Sequence, residues 1–363
     1  MKVTSTPVPV VLVGCGAVSQ AFYAPALRVL SQKGDLSVVA LVDPLVPARN
    51  LLAETFPDAV CADRLEEISA PEGALVIIAT PPRFHATQTM EAFRRGWHVL
   101  CEKPMASSTA ECEEMIAAAE ASKRLLAIGL YKRFFPSSRY IKDLVAGGQL
   151  GALRRFSIVE GGPFKWPAAT PSFFNKAQTP GGVLLDIGVH TLDLLTWWLG
   201  EPESFTCEDD AMGGLEINSH VNLVFPNGAS GSVHLSRDWG TANEYRFEFE
   251  GGIVSWKVND ANNLTVQLAG TSASFQAHLA NPIADLEDVL PRHSLATNPQ
   301  SFIAQLQNVI GALRGEEPLL IDGSEGLRSL RLIEACYRKR TLIEQPWFSA
   351  VETARARELA LQP

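Results

Sequence analysis

An apolar run, Val10-Val11-Leu12-Val13, that stops at once in Gly14-Cys15-Gly16-Ala17-Val18-Ser19 constrains this chain more than any other feature. A β-branched run without alternation suits a strand buried on both faces. A Gly-x-Gly turn directly after it lets the chain reverse into a helix whose first N–H groups are open to an anion. Gly14 permits the turn and Gly16 lets the backbone approach a pyrophosphate, with the N–H groups of Ala17 and Val18 beside it. Ser19 stands where a third small residue would pack the helix on the strand, and Pro25 predicts a short helix followed by a kink. Glycine turns also close purely structural strands, so a second feature is needed.

That feature is Asp43, at the carboxyl end of a second strand predicted over 36–42. A carboxylate there accepts hydrogen bonds from an adenosine ribose and repels a 2′-phosphate, which favours NAD over NADP. Arg49 nearby keeps NADP open. Further strands are predicted at 74–79, 97–101 and 125–130, with helices over 48–56, 84–95 and 107–122 between them. This alternation is the pattern of a parallel sheet covered by helices on both faces. The strand over 74–79 ends in Thr80-Pro81-Pro82, with His85 just beyond, where open α/β sheets bind ligands.

Beyond about residue 150 the period changes to two. Tyr245-Arg246-Phe247-Glu248-Phe249-Glu250 alternates aromatic with charged, and 254–258 and 264–268 repeat it. Turns fall at Pro226-Asn227-Gly228 and Gly251-Gly252, helices near 186–199, 301–314 and 324–338, and a long loop over 280–298. The expectation is an α/β Rossmann domain over 1–130, then an α+β domain over 131–363 with an open, mainly antiparallel sheet covered on one face.

Composition excludes several classes of function. With 46% hydrophobic and 20% charged residues, the 363-residue chain is an ordinary globular protein with core enough for two domains. A formal charge of −9 argues against nucleic acid as a partner. The six cysteines form no Cys-x-x-Cys pair and no metal-ligand spacing with histidine, so reduced, mostly buried thiols and no metal are expected. The N-terminal apolar run reads as a strand rather than a signal peptide, and no apolar stretch reaches about 18 residues. A cytoplasmic location without membrane contact is the expectation.

Two motifs carry candidate chemistry. In Cys101-Glu102-Lys103-Pro104 the proline disfavours a helical Lys103, which leaves its ammonium at the strand end to donate to a substrate oxygen. In Gly181-Gly182-Val183-Leu184-Leu185-Asp186-Ile187-Gly188-Val189-His190-Thr191-Leu192-Asp193, helical spacing puts Asp186, His190 and Asp193 on one face. A histidine near its ordinary pKa exchanges an alcohol proton at neutral pH, and a neighbouring carboxylate fixes its tautomer. Each motif also has a plain structural reading: a solvated charge pair for the first, a helix-start carboxylate and an interface histidine for the second.

Taken in order, Gly14-x-Gly16, Asp43, Thr80-Pro81 with His85, Glu102-Lys103-Pro104, Tyr131-Lys132-Arg133-Phe134 before Pro136, and Gly181-Gly182 to His190 resemble the Gfo/Idh/MocA family of glucose-fructose oxidoreductase and inositol dehydrogenase. The resemblance implies an NAD(P)-dependent oxidoreductase acting on a sugar, polyol or inositol-like hydroxyl. Lys103, Asp186 and His190 would be catalytic. Gly14, Gly16, Ala17, Val18, Asp43, Thr80, Pro81, His85, Glu102 and Lys103 would hold the cofactor. Arg133, Lys165 and Trp166 would line the substrate wall beside Asp186 and His190. It also implies a homodimer, or a dimer of dimers, through the C-terminal sheet. An NAD-dependent glycosidase working by transient oxidation and a non-catalytic cofactor-binding regulator are the alternatives. The regulator would usually have lost the lysine or the histidine, and both are present.

Overall fold

A computed structural model describes residues 6–167, 174–258, 260, 262–280 and 299–360. The chain divides into two compact units. The first opens with β1 (Val8–Val13), α1 (Ala24–Gln32), β2 (Leu36–Val42), α2 (Val46–Ala53), β3 (Val60–Ala62), β4 (Leu75–Ile78), α3 (His85–Arg94), β5 (His98–Cys101), α4 (Thr109–Ser122) and β6 (Leu126–Ile128). The six strands form one parallel sheet in the order β3-β2-β1-β4-β5-β6. Residues 10–13 and 75–78 are all buried, as strands covered on both faces require. The order reverses direction between β1 and β4, which puts the Gly14 turn at the topological switch point. Strand β3 has no counterpart among the predicted strands, because two of its three residues are exposed at the sheet edge.

Pro25 produces no sharp break. A π-helical turn over Ser19–Tyr23 runs straight into α1, with Pro25 in the first turn of that helix. The wider turn accommodates a residue that lacks an N–H and crowds the preceding carbonyls.

In the second unit come α5 (Pro136–Gly147), β7 (Leu153–Gly161), a π turn over Leu184–Gly188, α6 (Val189–Leu199), β8 (Ser204–Asp209), β9 (Asn218–Val224), β10 (Ser230–Ser236), β11 (Glu244–Phe249), β12 (Gly252–Lys257), β13 (Asn263–Leu268) and β14 (Ser274–His278). Helices α7 (Pro299–Leu313) and α8 (Gly323–Lys339), strand β15 (Thr341–Leu342) and helix α9 (Ala350–Ala360) complete the chain. The second sheet has nine strands in the order β14-β13-β12-β11-β7-β10-β9-β8-β15. It is mixed rather than purely antiparallel, because β7 pairs parallel with β10 and β8 with β15. Helix α6 covers one face. Trp198 meets Phe247 edge-on at 5.2 Å and Trp256 at 6.1 Å, and Trp256 in turn packs on Phe247 at 5.3 Å and Tyr245 at 5.0 Å.

The compact units do not divide simply at residue 130. The first unit takes in residues up to 134 and also 299–327, so it is discontinuous in sequence. Phe302 stacks on Phe22 and Tyr131, each at 4.7 Å, and meets Tyr23 edge-on at 5.2 Å. Ile303, Leu306, Val309 and Ile310 join the core of β1 and α1. At about 1.5–3 kcal/mol for each fully buried apolar side chain, this face of α7 commits the helix to the first unit. The loop expected over 280–298 lies, apart from residue 280, outside the described residues. Among the described residues no helix is long and apolar enough to cross a membrane. All six cysteines are free thiols, five of them buried and Cys61 exposed.

Candidate active site

The glycine turn is built as its sequence demands. Gly14 has φ +91°, and a Cβ there would lie 2.5 Å from the Ala79 carbonyl oxygen. Only glycine fits so close a crossing of β1 and the β4 end. A Cβ on Gly16 would meet nothing within 4 Å, so the backbone there borders open space. The Ser19 hydroxyl donates back to the Gly14 carbonyl, which makes the third small position a tie across the turn. The helix N-terminus at Ala17 and Val18 presents first-turn N–H groups, which have no partner within the helix.

Asp43 stands at the end of β2, as expected. Its Oδ2 accepts the Cys15 N–H at 2.7 Å and its Oδ1 the Leu45 N–H at 2.8 Å. A carboxylate has about four lone-pair directions, so two bonds leave capacity for a ribose hydroxyl. Arg49 donates to the Asp43 main-chain oxygen at 2.8 Å and is ion-paired with Asp63. This donor set, a glycine cradle, a helix N-terminus and a strand-end carboxylate, fits an adenine dinucleotide.

The ends of β4 and β5 are tied together by His85. Its ring is fully buried, with Nε2 2.7 Å from the Thr80 carbonyl oxygen and Nδ1 3.0 Å from that of Pro104. Burial pulls its pKa below the ordinary value, against the two carbonyls, which favour the charged ring. Since His85 has no exposed surface, its contribution to the turn passes through the loops it holds. Thr80 donates through its hydroxyl to Gln88 at 2.6 Å, and Pro81 is exposed.

Glu102 is buried too. The Tyr23 hydroxyl donates to its Oε1 at 2.7 Å, and the Lys103 N–H to its Oε2 at 3.1 Å. Burial raises the Glu102 carboxyl and, with the carboxylate's help, the Tyr23 phenol. Lys103 itself is half-buried at the strand end, and its bond to Pro104 is cis. Arg133 is 1% exposed and paired with Glu325 at 2.5 Å, so its guanidinium is committed to the interior of the first unit.

The second unit holds the other candidates. Asp186 lies on the π turn over Leu184–Gly188, and His190 one turn on, in α6 and 5% exposed. Asp193, expected on the same face, is 1% exposed. Thr191 fastens the helix to the sheet: its hydroxyl lies 3.1 Å from the Tyr245 hydroxyl and 3.3 Å from Glu160 Oε2, to which Tyr245 donates at 2.6 Å. Lys165 is exposed and Trp166 half-buried in the segment after β7.

Asp186 is ion-paired with Arg237, a residue the sequence reading passed over. The Arg237 guanidinium also sits 5.4 Å from the centre of the Phe164 ring. Burial lowers its pKa while the charge on Glu160 raises it. The available signal was a lone arginine ending a strand of small residues, Ser230-Gly231-Ser232, with Asp238 beside it. Nothing local marked it as a partner 51 residues from Asp186.

Residues 8–130 match a family model described as an oxidoreductase family with an NAD-binding Rossmann fold, and residues 138–255 match the GFO/IDH/MocA C-terminal domain. The chain is 25% identical to D-glucoside 3-dehydrogenase of Escherichia coli, over 92% of this chain and 96% of that protein. It is 28% identical to the rhizopine catabolism protein MocA of Rhizobium meliloti, over 89% and 92%. The crystal structure of aldose-aldose oxidoreductase from Caulobacter crescentus, complexed with glycerol, superposes with a TM-score of 0.76 at 26% identity, covering 92% of this chain and 97% of that one.

Proposed function

The chain belongs to the Gfo/Idh/MocA oxidoreductases, and on that premise we propose that it moves a hydride between NAD and a hydroxyl-bearing carbon of a sugar, polyol or inositol-like substrate. The observation that carries the reading is the pairing of Asp186 with Arg237 one turn ahead of the buried His190. A buried histidine one helical turn after a held carboxylate suits proton exchange with an alcohol near neutral pH.

Bound nicotinamide supplies the hydride acceptor or donor at C4. Gly14, Gly16, Ala17 and Val18 bind the pyrophosphate, and Asp43 binds the adenosine ribose. Thr80, Pro81, His85 and Glu102 shape the strand ends from which Lys103 works. The Lys103 ammonium donates to the reacting substrate oxygen, and the His190 imidazole takes that oxygen's proton during oxidation and returns it during reduction. Asp186, held by Arg237, steadies the charged imidazole, while Lys165 and Trp166 bear on the substrate ring. Arg133 acts through the packing of its own unit.

Preference for NAD over NADP is supported by Asp43, whose charge repels a 2′-phosphate, and by Arg49, which Asp63 already engages. The reading extends to a homodimer, or a dimer of dimers, through the second sheet; sedimentation at micromolar concentration distinguishes it from a monomer. The direct test is a screen of NAD and NADP reduction against inositols, aldoses, alkyl glucosides and linear polyols. NADH formation with at least one of them is expected. Sugar release from a glycoside without net NADH, or NADP reduced in preference, would contradict the proposal.

A further inference from the structure

Glu216 lies in none of the motifs that marked the site, yet it is 3% exposed at the start of the turn that carries Asp186. Its Oε1 accepts the Gly182 N–H at 2.9 Å, the Leu184 N–H at 3.1 Å and the Tyr337 hydroxyl at 2.7 Å. Its main-chain oxygen accepts the intervening Val183 N–H at 3.0 Å. Three successive donors at the start of the helical segment therefore end on one residue more than thirty positions away in sequence. First-turn N–H groups need outside acceptors, and a carboxylate there also meets the positive end of the helix dipole.

The neighbouring residue grips the other half of the ion pair. The Ile217 carbonyl accepts the Arg237 N–H at 2.9 Å, and the Arg237 side chain pairs with Asp186. Residues 216 and 217 thus hold the start of the turn that carries Asp186 and the backbone of Arg237. The Gly181-Gly182 pair follows from the same closeness. A Cβ on Gly182 would lie 2.0 Å from the Glu216 carbonyl oxygen, and one on Gly181 would lie 2.0 Å from the Tyr337 hydroxyl.

We infer that Glu216, supported by Tyr337, is a positioning residue that sets the orientation of Asp186 and, through the π turn, of His190. The inference rests on the proposed roles of those two residues. Its test compares Glu216→Ala, Glu216→Gln and Tyr337→Phe in the full chain, because a glutamine carbonyl can still accept the bonds that alanine loses. Two readouts are needed.

The first is the titration of the His190 ring by NMR, with the resonance assigned through its absence in His190→Gln. Glu216→Ala should move the midpoint by about 0.5 unit or more. Glu216→Gln should restore it. The second is turnover with whichever polyol or sugar reduces NAD. Glu216→Ala should lower kcat about 10- to 100-fold while leaving NAD binding unchanged, as a misplaced catalytic group does. Tyr337→Phe should fall between alanine and wild type. A lowered melting temperature with the His190 midpoint unmoved would reduce Glu216 to a fold-holding cap and overturn the inference. If His190→Ala retains turnover, the catalytic reading fails instead, and the NMR titration still judges Glu216.

Discussion

Two turns in this protein look alike and are held in opposite ways. Each begins beside at least one glycine, Gly14 in the first and Gly182 in the second, where a neighbouring carbonyl leaves no room for a Cβ, and each runs through a π turn into a helix. At the cofactor turn the ties are mostly local, from Ser19 to Gly14, Gln20 to Cys15 and the Gln20 N–H to Gly16. Asp43 is the longer reach, 28 residues on. At the Asp186 turn one tie is local, the Asp186 N–H to the Gly182 carbonyl, and the others are distant: Glu216 is 32–34 residues from the donors it accepts and Arg237 is 51 from Asp186. A phosphate cradle has to present backbone groups, which a short stretch of sequence can arrange alone. A proton-transfer group has to be aimed, and side chains from several strands and helices do the aiming.

The comparison breaks most visibly at Trp198, which anchors α6 to its sheet. Trp198→Ala should cost about 3–5 kcal/mol, read as a lower urea midpoint for the second unit. NAD binding by the first unit should persist; its loss would mean that the two turns are not independently held.

Matched glycine substitutions sharpen the contrast. Gly14→Ala forces a side chain into the left-handed region, at about 1–2 kcal/mol, and also drives a Cβ onto the Ala79 carbonyl. NAD affinity should fall at least about tenfold. Gly182→Ala collides with the Glu216 carbonyl and should lower kcat with NAD affinity intact. Calorimetric titration with NAD alongside steady-state kinetics separates the two outcomes.

A smaller effect is expected at the adenosine end. Asp63→Ala releases Arg49, and with Asp43→Ser it should improve NADP affinity relative to NAD by roughly tenfold, about 1.4 kcal/mol. No change in that ratio would remove Arg49 and Asp63 from cofactor choice.

The smallest effect concerns pH. His98 accepts the Leu125 N–H at 2.9 Å, and burial, with the Arg124 charge, lowers its pKa to about 4. A lowered histidine pKa means that folding favours the neutral ring. Its stability contribution is therefore present above the unfolded value of about 6.5 and is lost as pH falls toward about 4. His98→Gln should flatten part of the decline in melting temperature over that window.

What could be read in advance follows the same division. The run from Val10 to Ser19 and the strand delivering Asp43 announce themselves through composition and spacing, because their partners are near in sequence or imposed by the parallel sheet. Lys103 was legible through Pro104, and Asp186 and His190 through helical spacing. Arg237 and Glu216 were not, since a contact between strand ends leaves no periodic trace. Helix α7 is legible as a helix but the core it joins is not, because an amphipathic pattern shows which face is apolar and not which core it meets. Arg133 is expected at the substrate wall from the sequence, and its burial against Glu325, 192 residues away, is equally invisible there.

If His190 is the proton-transfer residue, turnover depends on it while cofactor binding by the first unit does not. The most direct measurement is single-turnover reduction of NAD by the best substrate, with NAD affinity measured in parallel, in wild type and His190→Ala. His190→Ala should lose about 10²–10⁴-fold in rate, with NAD affinity within about twofold of wild type. A rate within about threefold of wild type, below the smallest loss expected of a general base, would contradict it.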